Sequence, residues 1–342
     1  DNENMKFDAI VGNPPYQITQ ENTSDDPIYY HFYDLSFKLS SFVTLITPAR
    51  FLFNAGKTPK DWNQKILSDN HFKVISYNQD SSYFFPNTEI KGGIAITIRD
   101  ESKNFGKIGA FSIYPQLNTI LNKIENTKDF KSIMNEIYLQ NKFNLAVLYK
   151  DFPKYKNIIG SKGNEKRLTT KIFDQISIFT KEKSSTDDIK IIGLIDNSRY
   201  YRYIPIKYLD THENLSKYKV ILPKSNGTGA LGEKLSAPFI GEPKLGYTQS
   251  FIGIGAFNNK TEAEAALKYI KTKFTRTMLG ILKVTQDNNK PVWKFVPLQD
   301  FTSASDINWN GSISDIDRQL YHKYNLTNEE ITFIEDHIKP MD

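Results

Sequence analysis

Residues 7–17 read FDAIVGNPPYQ. The apolar run 7–12 ends at Gly12 and is followed at once by Asn13, Pro14 and Pro15. This is the pattern of a buried strand entering a tight, rigid loop. Pro15 fixes its own φ and biases Pro14 to an extended conformation, and Pro14 does the same to Asn13. A stiff loop just past a buried strand is where open α/β sheets place their ligands.

Outward from this corner, strand and helix patterns alternate. Residues 27–41 (PIYYHFYDLSFKLSS) carry apolar groups at helical spacing, and 42–51 (FVTLITPARF) read as a second buried strand broken by Pro48. Residues 58–69 predict a helix with Thr58 as N-cap and Pro59 at its first position. FKVISYN (72–78) and GGIAITIRD (92–100) predict two further strands. The alternation predicts an α/β fold, a partial doubly wound, mostly parallel sheet with crossovers. After about residue 140 the texture changes to short strands (IKIIGLID, KYKVILPKS, VWKFVPLQDF) between Gly, Asn and Pro turns. One long amphipathic helix is expected over 260–283. A helical hairpin is expected over 312–338, capped by Ser312 and Thr327. Two domains follow, 1–140 and 141–342, the second mixed α+β. The nearest approach to a linker is the short polar run KEKSSTDD at 181–188.

Composition excludes several classes. The 342 residues are 39% hydrophobic and 24% charged, which is neither collagen-like nor disordered nor membrane-embedded. No run of about 18 apolar residues is present to span a bilayer. There is no cysteine, hence no disulfide, thiol nucleophile or Cys-based zinc site, and a cytoplasmic location is expected. His31, His71, His212, His322 and His337 are scattered without metal-ligand spacing, so no metal is expected. The net charge of +5 is unevenly placed. Residues 1–33 hold one cation, Lys6, and six acids, whereas 150–183 hold nine cations and four acids. The basic second half permits a nucleic-acid partner.

The corner itself suits one chemistry. It can present the Asn13 side-chain oxygen and the Pro14 carbonyl as converging acceptors for the two hydrogens of a planar amino group. Such a nitrogen is a poor nucleophile because its lone pair is delocalised. Gripping both hydrogens favours the pyramidal nitrogen that attacks, which is stabilisation aimed at the transition state. Tyr16 offers a flat face for a planar substrate.

FDAIVGNPPYQ resembles the catalytic motif of amino-group methyltransferases that use S-adenosylmethionine. It is most similar to the gamma-class, Taq-like adenine-specific DNA methyltransferases of type II restriction–modification systems, some of which are fused to a nuclease. FVTLITPARFLF (42–53) resembles the family's next strand-and-loop motif. YFFPNTEIKGGIAITI (83–98) resembles the segment that supplies a second aromatic ring against a flipped adenine. The resemblance implies Asn13, Pro14, Pro15 and Tyr16 as catalytic residues, Asn13 and Pro15 at the cofactor, and Phe85, or Phe84 beside it, as the base-stacking ring. KVILPKSNGTGA (219–230), WKFVPLQDF (293–301) and LYHKYNLTNEEITFIEDHI (320–338) resemble the family's target recognition domain, which implies double-stranded DNA as partner.

In relatives of this order a Gly-rich loop and an acidic ribose-binding residue precede the motif. Only twelve residues do so here. The glycines at 226–233 and 251–257 are expected in loops of the recognition domain. The chain thus reads as a C-terminal part that needs the N-terminal part of the same enzyme for most of its cofactor site and for activity. Cations contact phosphates and aromatics stack, so Arg199, Tyr200 and Arg202 are DNA-binding candidates, with Lys224, Ser225, Asn226, Lys283 and Gln286. Most cations of 268–283 fit an ordinary solvated face. The same loop would also fit an amide or an RNA base, and the second half would also fit a non-catalytic DNA-specificity module.

Overall fold

The computed structural model describes residues 7–18, 26–160 and 163–342. Asp1, Glu3, Lys6, Glu21, Asp25 and Lys162, counted in the charge distribution, lie outside the described residues. The chain divides into two compact units, Asp1–Asn126 and Thr127–Asp342.

The first unit is built on four strands: β1 (Ile10–Gly12), β2 (Phe42–Pro48), β3 (Phe72–Asn78) and β4 (Ile94–Asp100). Their order is β1-β2-β4-β3. β1 and β2 are parallel, with Gly12 opposite Leu45. β4 runs antiparallel to both β2 and β3 and lies between them. The expectation of a mostly parallel sheet is corrected accordingly: three strands share a direction, but β1–β2 is the single parallel pair in this sheet. The connection from β3 to β4 holds one 3₁₀ turn, Ser81–Tyr83, and no long helix, so the chain returns in the opposite sense instead of crossing over.

One face of the sheet forms the core. Val43, Leu45 and Ala95 pack with Tyr29 and Tyr33 of α1 (Tyr29–Leu39), Trp62 and Ile66 of α2 (Lys60–Leu67), and Phe51. Tyr33 Oη lies 3.1 Å from Thr47 Oγ1 and 2.6 Å from Thr97 Oγ1, tying α1 to two strands through one buried hydroxyl. Thr58 does not cap α2. Pro59 holds that position, and the Thr58 hydroxyl donates to Asn63 Oδ1 at 2.7 Å. β1 is not the buried strand its apolar run predicts. It is the edge of the sheet, and Val11 is 77% exposed.

The second unit starts before the expected boundary at 140, because β5 (Ile137–Tyr138) pairs with a strand far along the chain. It joins an antiparallel sheet in the order β9-β8-β11-β5, whose other members are β8 (Tyr218–Pro223), β9 (Phe239–Gly241) and β11 (Phe251–Phe257). A three-stranded sheet combines β6 (Asp188–Ile195), β7 (Ser198–Pro205) and β10 (Leu245–Tyr247), with β10 parallel to β6. β6 and β7 form a hairpin that turns at Asp196 and Asn197, both at positive φ, as a tight two-residue hairpin turn requires.

Three other expectations change. The segment 251–257 is strand β11, not a loop, although 226–233 is a loop as expected. VWKFVPLQDF forms no strand; a 3₁₀ turn, Lys290–Trp293, leads into it. The long helix over 260–283 is two helices, α3 (Lys260–Lys271) and α4 (Lys273–Gly280). They part at Thr272, whose ψ of 150° is extended. The Thr272 hydroxyl accepts the Thr275 N–H at 3.1 Å, and buried Asp317 accepts the Lys273 and Phe274 N–H groups at 3.0 and 2.8 Å. Those caps start a second helix where periodicity alone suggests continuity. The C-terminal hairpin forms as α5 (Ile313–Lys323) and α6 (Asn328–His337), each opened by a capping box at Ser312 and Thr327.

Candidate active site

Because β1 and β2 are parallel, the residues that follow each strand leave the same edge of the sheet. Asn13–Tyr16 follow β1, and Arg50 follows β2. The Ile28 N–H donates to the Tyr16 carbonyl at 3.0 Å, and Gln17 pairs with Pro27, which fixes the exit of the loop. A cleft of about 880 Å³ opens at this edge, lined by Asn13, Tyr16, Tyr29, Arg50, Phe85 and Lys91 among others.

Asn13 is exposed to the cleft, whereas Pro14 and Tyr16 are half-buried. The Tyr16 ring borders the aromatic core. Its hydroxyl oxygen is buried and has no hydrogen-bond partner among the described residues. Burial pushes this phenol up to about 12, so Tyr16 is neutral near pH 7. Phe85 stands across from Tyr16, with ring centroids 6.5 Å apart and planes at 62°. A flat ring held between two others needs about 7 Å, two carbon contact distances. At this angle the two rings form an edge-to-face pair, so Phe85 has to turn to lie flat on an inserted ring. Phe84 is not among the cleft residues. It packs edge-on against Tyr83, at 5.1 Å and 87°. Of the two aromatics at this place in the sequence, Phe85 is the one at the cleft.

The Phe85 loop is held by Ser81, a residue the sequence reading did not single out. Buried Ser81 donates from Oγ to the Thr88 carbonyl at 2.6 Å and accepts the Ile90 N–H at 2.8 Å. Its own carbonyl accepts the Phe85 N–H at 2.9 Å. Asp80 starts the turn by accepting the Ser82 N–H at 2.9 Å. Asp80 followed by two serines is a legible cap signal, but its target across the loop is not.

The DNA-binding candidates fall into two groups, both in the second unit. On β7, Tyr200 and Tyr201 are exposed. Arg199 donates to the Ala237 and Ser236 carbonyls at 3.0 and 3.1 Å, and Arg202 donates to the Tyr201 carbonyl at 2.8 Å, with its guanidinium 5.6 Å from the Tyr200 ring. Lys190 lies 4.4 Å from the Tyr201 ring centroid. The other group is a double loop. The Asn226 N–H donates to the Gln286 carbonyl and the Asn288 N–H to the Lys224 carbonyl, both at 2.7 Å. Ser225 and Gln286 are exposed there. Asn226 and Lys283 point inward. Buried Lys283 donates from Nζ to the Asn226 and Thr285 carbonyls at 2.9 and 3.1 Å, and Asn226 Nδ2 donates to the Lys234 carbonyl at 2.9 Å. These two residues hold the double loop together instead of facing solvent. Arg276, expected on a solvated face, is buried and donates to backbone carbonyls of Lys271, Glu233 and Lys339.

Among the described residues no helix is long and apolar enough to cross a membrane, and no group of three metal-ligating side chains is present.

Residues 1–85 match the family described as Eco57I restriction-modification methylase. A Mycoplasma pneumoniae protein described as an uncharacterized adenine-specific methylase is 34% identical over 99 residues, which are 28% of this chain and 24% of that protein. The match thus spans about a quarter of that curated relative. Among solved structures, the type IIG restriction endonuclease BpuSI aligns with a TM-score of 0.33 and 10% identity over 92% of this chain and 48% of its own. The type IIL restriction-modification enzyme MmeI in complex with DNA aligns with a TM-score of 0.30 and 8% identity, over 96% and 56%.

Proposed function

We propose that this chain is part of a gamma-class, type II adenine-specific DNA methyltransferase of a restriction–modification system. Its reaction is methyl transfer from S-adenosylmethionine to the 6-amino group of adenine at a specific sequence. The observation that carries this reading is the convergence of Asn13, Tyr16 and Phe85 on one cleft at the end of a parallel strand pair. The match of residues 1–85 to a methylase family supports it.

The geometry supports the following roles. Adenine enters between Tyr16 and Phe85, with Phe85 turning from its edge-to-face position to lie flat on it. The Asn13 side-chain oxygen and the Pro14 carbonyl accept the two amino hydrogens, so the nitrogen lone pair is released for attack. Tyr16 stays protonated, and its part is stacking rather than proton removal. S-adenosylmethionine supplies the electrophilic methyl group when bound.

Asn13 and Pro15 fit one border of that cofactor's site and do not complete it. The glycine runs at 226–233 and 251–257 form a loop and a strand of the second unit, not a strand-to-helix turn for a ribose or phosphate. Among the described residues β1 is the edge of the sheet, with Val11 exposed. The second unit binds duplex DNA through the β7 aromatics and the 224–226/284–287 double loop. The enzyme acts in the cytoplasm.

The test is transfer of labelled methyl by the intact enzyme to DNA, RNA and protein substrates. Label at adenine N6 of duplex DNA is expected. Label on RNA or on a glutamine amide would move the substrate to that class. Sequence-specific DNA binding with no transfer would make the chain a non-catalytic specificity module.

A further inference from the structure

The loop chemistry leaves the charged groups of the cleft, Arg50, Lys57, Glu89 and Lys91, without a role, and Arg50 is the one whose course two glycine turns fix. Arg50 follows β2 on the same edge of the sheet that presents Asn13 and Tyr16, and it lines the same cleft. Its aliphatic stem runs between two glycine turns, Gly56 at φ 84° and Gly92 at φ 89°. A Cβ on Gly56 would sit 3.3 Å from Arg50 Cβ, and a Cβ on Gly92 would overlap Arg50 Cγ. Two loops therefore give up side chains where the arginine passes, which fixes its course. Its guanidinium, by contrast, has neither a carboxylate nor a hydrogen-bond acceptor among the described residues. Lys57 on the same cleft is matched, at 3.0 Å from Asp26 Oδ1. A guanidinium with a held stem and a free fork is a preorganised receptor for a bidentate oxyanion.

We propose that Arg50 binds a backbone phosphate flanking the extruded adenine and so holds the flipped nucleotide in the cleft. This rests on the adenine-methyltransferase reading. A base turned out of the stack carries its own phosphates toward the pocket mouth, and these are the oxyanions that must come close to Asn13 and Tyr16.

A double-mutant cycle on the intact enzyme tests it. Arg50→Gln is combined with duplexes in which one phosphate beside the target adenine is replaced by a neutral methylphosphonate. Affinity is measured together with 2-aminopurine fluorescence at the target. Arg50→Gln is expected to weaken binding about tenfold and to reduce the salt slope by about one. One methylphosphonate should weaken the wild type by a similar factor and leave Arg50→Gln unaffected. Arg50→Lys keeps the stem and the charge, so it should keep the melting temperature and most of the salt slope even if Arg50→Gln melts early. Losses that multiply at every flanking phosphate, with a wild type that flips and methylates adenine, overturn the role of Arg50 alone. A wild type that neither flips nor methylates adenine overturns the functional reading, and Arg50 with it.

Discussion

Tyr16 and Phe85, on different loops, stand 6.5 Å apart with their planes at 62°. Tyr16 follows β1 of the parallel strand pair and is tied to the start of α1 through the bond from Ile28, and Phe85 is tied to the β3–β4 connection through Ser81. The cleft therefore has one wall set by the sheet and one set by a loop.

In the proposed reaction Asn13 supplies one of two acceptors for the amino group, and the backbone supplies the other. In the intact enzyme Asn13→Ala should lose roughly 3 kcal/mol of transition-state stabilisation, by analogy with removal of one oxyanion-hole donor. Single-turnover transfer of labelled methyl checks this. Activity within a few-fold of wild type would refute the role of Asn13.

The two aromatic neighbours should behave differently. Tyr16→Ala and Phe85→Ala should each weaken base stacking by about 1–3 kcal/mol, whereas Phe84→Ala should leave it nearly unchanged. The readout is 2-aminopurine fluorescence at the target adenine. Equal losses for Phe84→Ala and Phe85→Ala would show that the loop rearranges and that the pairing of Tyr16 with Phe85 does not persist in the complex.

Lys283 and Gln286 separate folding from recognition in the double loop. Lys283→Met removes the donor to the Asn226 and Thr285 carbonyls and should lower stability by roughly 1–3 kcal/mol in urea unfolding. Gln286→Ala, at an exposed position, should leave stability within about 0.5 kcal/mol and alter DNA affinity or sequence preference. An unchanged preference in a binding-site selection would count against a base contact by Gln286.

Burial pushes the Asp317 carboxyl up to about 6, even though it accepts two helix N–H groups. An acid whose pKa is higher folded than unfolded holds its proton more tightly when folded. Its contribution therefore favours the folded state at low pH and is lost as pH rises from about 4, its unfolded value, through about 6. The loss is at most about 3 kcal/mol. Asp317→Asn should flatten that part of the stability profile, measured by urea unfolding at pH 4.5 and 7. A variant with the wild-type slope would show that other groups set it.

Much of the candidate site was legible as local pattern. Asn13, two prolines and Tyr16 after an apolar run specify a stiff, oxygen-presenting corner whatever surrounds it. Ser312 and Thr327 announce their capping boxes because the bonds close within one helical turn. Partners far along the chain were not legible. Nothing in the segment FFP distinguishes Phe84 from Phe85, since the difference lies in which ring the Ser81 bonds turn toward Tyr16. Asn226 and Lys283 carry the residue types of a DNA contact, yet each spends its polar atoms inside the double loop. Thr272 sits in an unbroken helical pattern, and a cap from Asp317, far along the chain, joins its own hydroxyl to start a second helix there.

The sequence alone determined the backbone stiffness of the Asn13–Tyr16 corner, the α/β class and the positions of most strands and helices, because these depend on φ restriction, capping and periodicity over a few residues. Only the tertiary structure decided that β4 inserts antiparallel between β2 and β3, that β1 is an open edge, and that Arg50 threads between Gly56 and Gly92 into the cleft of Asn13, Tyr16 and Phe85. Strand direction, exposure and side-chain company are sums over contacts between distant segments, and local preference carries no record of which distant segment arrives.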